Sequence, residues 1–174
     1  MELLSFSTDR LTLRHWRDAL AHPARRDQLE RDILPILTSK VLAHLPPSLQ
    51  TRQTPSAINH WVTKRAQESD VYTISDRAKD QLIGLLILAA PEQADHIHLG
   101  YLLDEPAWGQ GYASEILQGL VVQFAHQTVQ LTGGVGRNNP ASARVLEKAG
   151  FTQDADQSND STLIYVWNGT LEAV

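Results

Sequence analysis

Leu99–Leu117, LGYLLDEPAWGQGYASEIL, is the stretch whose reading decides the fold. Its first residues belong to an apolar, strand-like run, Ile97–Leu103, and its last open a strongly helical one, Ala113–His126. Between them lies a short loop with two glycines, Gly109 and Gly111. Glycine lets the backbone approach a ligand closely and adopt torsions closed to other residues. The first N–H groups of a helix have no partner within it and lie at the positive end of its dipole. Strand, glycine loop and helix start together make a ready site for a phosphate or diphosphate. The same spacing also suits a plain tight turn, so on spacing alone both readings stand. Neither G-x-x-x-x-G-K-[ST] nor the third glycine of G-x-G-x-x-G is present, which sets aside the two commonest nucleotide loops.

At 174 residues the chain is long enough for one domain with a real core. Its apolar fraction of 42% and charged fraction of 20% fit a globular protein rather than a disordered one. The absence of cysteine excludes disulfides, thiolate metal ligands and a cysteine nucleophile. The opening MELLSFSTDRL has no basic n-region and no long apolar segment, so a signal peptide is not expected. No apolar run approaches a membrane span, and a cytoplasmic location is the expectation. The net charge of −5 argues against nucleic acid as the main partner, since a phosphate backbone calls for a basic face. It suits a cationic acceptor such as an amine, although mild acidity is ordinary.

Along the chain, Asp9–Trp16 alternates as a half-buried strand, with Leu11 and Leu13 on one face. Residues 17–50 are helical in flavour, broken or kinked at Pro35 and ended by Pro46-Pro47. Thr54-Pro55-Ser56 reads as a helix start. Val71–Ser75, Leu82–Ala90 and His96–Leu103 are the next strands, the second interrupted by Gly84. After the glycine loop, Ile116, Leu117, Leu120, Val121 and Phe124 recur at helical spacing. Thr128–Val135 is a strand, and Asn139-Pro140 opens a helix that stops at Gly150. Phe151–Gln153 and Thr162–Trp167 read as a closing antiparallel pair. This order predicts an α/β fold: a mixed, mostly antiparallel sheet with flanking helices and one central β-α-β crossover. A single domain over residues 1–174 is expected.

Three segments resemble the GNAT superfamily of N-acetyltransferases, and most of all its branch of ribosomal-protein N-terminal (RimJ/RimL-type) acetyltransferases. STDRLTLR (residues 7–14) is similar to that branch's first strand, LGYLLDEPAWGQGYASEIL to its acetyl-CoA loop, and NNPASARVLEKAGF (residues 138–151) to a later helix. The resemblance covers residues 7–168 and implies a GNAT fold and acetyl-CoA as cosubstrate; no metal is expected. Trp108 stands where most of the superfamily has Gln or Arg, though tryptophan is usual in this branch. Leu146 stands where many members carry a tyrosine that protonates the departing thiolate. Residues 17–60 match least, and in the family that region shapes the acceptor pocket.

The implied reaction is transfer of acetyl to a primary amine by direct attack, without a covalent enzyme intermediate. By resemblance, the backbone of Leu103 pairs with the pantetheine arm, that around Tyr101 faces the thioester, and the N–H groups of Gly109, Gln110, Gly111, Tyr112 and Ala113 hold the diphosphate. Trp108 and Tyr112 also have an ordinary reading as packing residues. Asn139 is an N-cap in form, and the family implies that it also contacts the pantetheine arm. With no tyrosine at position 146, Ser142, one turn on, is the expected partner of the leaving thiolate. Arg137, Arg144 and Lys148 are candidates for the ribose phosphate and equally ordinary surface charges. His98 lies where the branch often has a glutamate; its intrinsic pKa suits a base, and His96 shares its face. A structural or acceptor-shaping role suits His98 as well, and no third ligand supports a His96/His98 metal pair.

The expected acceptor is a protein or peptide N-terminal amine. A small amine (polyamine, amino sugar or antibiotic) and a non-catalytic acyl-CoA-binding regulatory module are the alternatives. Family members are often dimers, so a homodimer is an expectation.

Overall fold

A computed structural model describes residues 5–89 and 95–169. They divide into two compact units, 5–87 with 101–110, and 88–89 and 95–100 with 111–169.

The first unit contains β1 (Phe6–Ser7), β2 (Leu11–His15), α1 (Arg17–Leu20), α2 (Pro23–Ile33), α3 (Ser39–Leu42), α4 (Pro55–Glu68), β3 (Asp70–Asp76) and nearly all of β4 (Gln81–Ala89). Its strand order is β1-β2-β3-β4. β2 pairs antiparallel with β3 from Leu11↔Asp76 to His15↔Tyr72, and Leu11 and Leu13 are fully buried, as their alternation predicts. β1 is too short to leave a periodic signal. β4 was expected to reach Ala90, which lies outside the described residues.

The helical stretch expected over 17–50 is three short α-helices and a 3-10 turn at Pro47–Leu49, for reasons written locally. Pro23 opens α2 at its first turn, where a missing N–H costs nothing. Pro35 has no N–H to extend the ladder of α2, which ends at Ile33 although Leu34 keeps helical torsions. The Thr38 hydroxyl caps α3 by accepting from Val41 N, and Thr54 caps α4 from Ala57 N. Leu29, Ile33, Val41, Ile58, Trp61 and Val62 form one apolar cluster with Val71, Leu85 and Leu102 of the strands.

The second unit begins with His96–Gly100 of β5 (His96–Leu103), whose last three residues belong to the first unit. It continues through α5 (Tyr112–Phe124), β6 (Val129–Gly136), α6 (Pro140–Lys148), β7 (Thr152–Asp154) and β8 (Thr162–Gly169). The strand order is β5-β6-β8-β7. β5 and β6 are parallel from His96↔Gln130 to Leu99↔Gly133, and such a pair needs a crossover, supplied by α5. The other pairs, β6–β8 and β7–β8, are antiparallel. Ile116, Leu117, Leu120 and Phe124 of α5 are at most 1% exposed, four of the five residues of the expected stripe; the fifth, Val121, is only half-buried. This is the mixed, mostly antiparallel α/β architecture expected. α5 starts one residue before Ala113 and ends two before His126; β8 runs past Trp167 to Gly169 because its pairing with β6 continues through Gln130↔Asn168 and Val129↔Gly169. No helix among the described residues is long and apolar enough to cross a membrane.

Gly84, the break in the apolar run of β4, has a steric cause. A Cβ there would lie 2.3 Å from Leu102 O and 2.8 Å from Leu103 Cδ2. Gly84→Ala is expected to destabilise the protein by about 2 kcal/mol, lowering Tm by about 4–8 °C in a thermal melt; an unchanged Tm would refute the close approach.

Candidate functional site

The stem of the glycine loop lies in the first unit and is tied down residue by residue. Asp104 N donates to Ile83 O of β4 at 2.8 Å. Residues Glu105–Ala107 form one turn of 3-10 helix, closed by Trp108 N to Glu105 O. The Glu105 carboxylate accepts from the Thr38 hydroxyl at 2.6 Å and from Lys40 Nζ at 3.0 Å. These bonds hold its pKa below the usual carboxylate value, the Thr38 bond contributing most. Trp108 Nε1 donates to Leu103 O at 2.8 Å, while its ring stays 41% exposed and meets His44 edge-on at 6.0 Å. The Leu103 carbonyl that the resemblance assigns to pantetheine therefore already accepts one bond. Gln110 folds back so that Nε2 donates to Pro106 O, and its own carbonyl accepts from Arg10 Nη1 of the STDRLTLR segment at 3.0 Å. Tyr101 is half-buried on β5.

Gly109 and Gly111 have φ of 71° and 80°, left-handed torsions that cost any other residue strain. Gly111 is the N-cap of α5, and glycine has no side chain to cap with. The first helical bond is Glu115 N to Gly111 O, so the N–H groups of Tyr112, Ala113 and Ser114 have no partner within the helix. Tyr112 is buried at 8% exposure, which agrees with its packing reading. The tight-turn reading holds in the torsions of both glycines.

In the second unit, Asn139 Oδ1 accepts from Ser142 N at 3.2 Å, and Nδ2 donates to Ser142 Oγ at 3.1 Å. The amide thus caps α6 and takes a lone pair of the hydroxyl, which turns the Ser142 O–H away from Asn139. Leu146 is 2% exposed and packs over Gly133, where a Cβ would sit 3.3 Å from both its methyls. An aliphatic side chain fills the place of the family's tyrosine. A phenol not singled out from the sequence, Tyr165 of β8, donates to Glu147 Oε1 at 3.0 Å. Burial and that carboxylate raise its pKa. His96 and His98 are both exposed and alternate with buried Ile97 and Leu99. Among the described residues no three His, Asp or Glu side chains form a metal-binding group. Arg137 Nε donates to Asn159 O at 2.8 Å, which ties it to the 154–161 connection; Arg144 and Lys148 are exposed on α6.

Residues 10–152 match the family described as acetyltransferase (GNAT) domain. The chain belongs to the GNAT acetyltransferase family. The matched residues take in parts of both compact units, and the family's members are N-acetyltransferases that use acetyl-CoA. Among solved structures, RimL, the ribosomal L7/L12 alpha-N-protein acetyltransferase in complex with coenzyme A, is similar at 21% identity and a TM-score of 0.69, over 95% of this chain and 97% of that one. The ribosomal-protein-S5-alanine acetyltransferase from Vibrio fischeri is similar at 14% identity and a TM-score of 0.67, over 95% and 97%. A mutant of SpeG, spermidine N-acetyltransferase from Vibrio cholerae, matches at 15% identity and a TM-score of 0.67, over 91% and 94%. No curated protein sequence matches the chain.

The sequence alone does not reveal the partners of the loop stem. Thr38 and Lys40 lie 67 and 65 residues from Glu105, in the segment that matches the family least. A carboxylate whose folded pKa is depressed stabilises the fold above its unfolded pKa, and loses that contribution as pH falls through the folded value. Wild type should therefore melt above Glu105→Gln at pH 7, and the gap should close as the pH falls toward 3. A gap independent of pH would mean that the Thr38 and Lys40 bonds do not favour the ionised carboxylate.

Proposed function

We propose that the chain transfers acetyl from acetyl-CoA to a protein or peptide N-terminal amine. The observation that carries the coenzyme reading is the start of α5, a glycine N-cap in the left-handed region that leaves the first-turn N–H groups without a side-chain cap. Such a helix start fits a diphosphate by charge and by donors. Coenzyme A, when bound, supplies the acetyl group as a thioester; the following steps are those of the chain's own residues.

In this reading the backbone N–H groups from Gly109 to Ala113 hold the diphosphate. The acceptor amine must first lose a proton, and His98 is the proposed base: its imidazole is exposed on β5, and its intrinsic pKa suits the task. The neutral nitrogen attacks the thioester carbonyl, a C–N bond forms, and donors around the developing oxyanion lower the barrier. The C–S bond then breaks, and Ser142, oriented by Asn139, gives its proton to the thiolate directly or through water. Leu146 cannot take that role. The exposed stretch of β5 carrying both imidazoles supports an acceptor as large as a polypeptide end. A likeness to a spermidine acetyltransferase keeps a small polyamine as the second reading. Single-domain organisation, a cytoplasmic location and a homodimer belong to the same proposal.

Thiol release measured against N-terminal peptides and against polyamines separates the two acceptor readings. Faster turnover with peptides is expected; polyamine turnover alone would favour the second, and acetyl-CoA binding without any release would favour a regulatory module. Gly111→Trp should abolish acetyl-CoA binding in calorimetry, and unchanged affinity would remove the loop from the coenzyme site. Ser142→Ala should lower kcat by about 10²-fold with little change in acetyl-CoA affinity; unaltered kcat would exclude Ser142.

A further inference from the structure

We propose that Glu105 is a positioning residue for the coenzyme loop, braced against helix α3 by Thr38 and Lys40; this rests on the reading of Gly109–Ala113 as the coenzyme-binding segment.

Glu105 is the right residue to transmit a constraint. Its carbonyl accepts from Trp108 N at 3.1 Å, so fixing its side chain fixes the turn that delivers the chain to Gly109. Each carboxylate oxygen has its own donor, Oε1 the Thr38 hydroxyl and Oε2 the Lys40 ammonium. Charge-assisted bonds of this kind are stronger than neutral ones. The Thr38 hydroxyl also accepts from Val41 N, which orients its proton toward Glu105. The brace has a second point of contact, since His44, just past the end of α3, packs its ring edge-on against Trp108. α3 does not drift, because Val41 and Leu42 are 3% and 8% exposed within the apolar cluster that also holds Leu102. The loop stem is thus gripped at residues 105 and 108 by a four-residue helix whose own position is set by the core.

A carboxylate beside a diphosphate-binding loop also has a cost, because its field repels the ligand. Lys40 offsets that charge while adding to the brace. The two effects predict opposite outcomes. If Glu105 acted only through its charge, removing it would tighten binding of an anionic coenzyme. As a brace, its removal weakens binding.

Coenzyme A titrated calorimetrically into the full chain is the test, with KM and kcat of the acetyl transfer as the second readout. Glu105→Ala is expected to weaken coenzyme A binding about tenfold and to raise the KM for acetyl-CoA similarly, with kcat at saturation changed less than about twofold. Glu105→Gln, which keeps an acceptor for Thr38, should recover more than half of the lost affinity. Thr38→Val serves if Glu105→Ala fails to fold, and should weaken binding in the same direction. Unchanged or tighter binding in these variants, with wild type binding normally, overturns the brace alone. Failure of wild type to bind coenzyme A overturns the coenzyme reading and the brace with it. A fall in kcat without a change in KM also contradicts the positioning role.

Discussion

A helix must begin where a loop ends, and its first N–H groups need partners from outside the helix. In this chain α5 begins at Gly111 with no side chain available to cap it. Most helices answer that need with Ser, Thr, Asp or Asn, as Thr54 and Asn139 do here for α4 and α6. The proposed function gives that start a bound diphosphate in place of a side-chain cap. The rest of the architecture serves that choice: α5 is the crossover between the parallel strands β5 and β6, so its start is fixed by the end of β5. The stem between them is short and is held by the Arg10 side chain, the Ile83 carbonyl of β4, and the Thr38 and Lys40 side chains at the start of α3.

Much of this was legible in the residues. The alternation of Leu11 and Leu13, the stripe Ile116, Leu117, Leu120 and Phe124, and the caps at Thr54 and Asn139 are local signals, and each produced the element expected. Helix ends slipped by one or two residues because terminal turns depend on contacts that periodicity does not encode. Gly84 was readable as an anomaly, but its cause, the Leu102 carbonyl, is a neighbour only in the fold. The brace on Glu105 was invisible for the same reason, since its donors are an unremarkable Thr and Lys in a segment broken by prolines.

The start of α6 illustrates how one family position is refilled. An aliphatic Leu146 closes over Gly133, and that packing suits a hydrophobic side chain better than a phenol needing a partner. In the proposed mechanism the polar function falls to a residue already oriented by a cap. Ser142 meets that description, because Asn139 fixes both its backbone N–H and its hydroxyl. Tyr165 does not, because its hydroxyl is committed to Glu147. His96 and His98 are exposed on β5, in contrast to the apolar cluster that fixes α2, α3 and α4.

The central claim is that the open start of α5 holds the coenzyme diphosphate. Amide resonances of the ¹⁵N-labelled chain, followed while coenzyme A is added, test it most directly. The account predicts that the largest shifts fall on the N–H groups of Gly109, Gly111, Tyr112 and Ala113, as these become donors to the diphosphate. Shifts concentrated elsewhere, with these four amides unmoved at saturation, would contradict it.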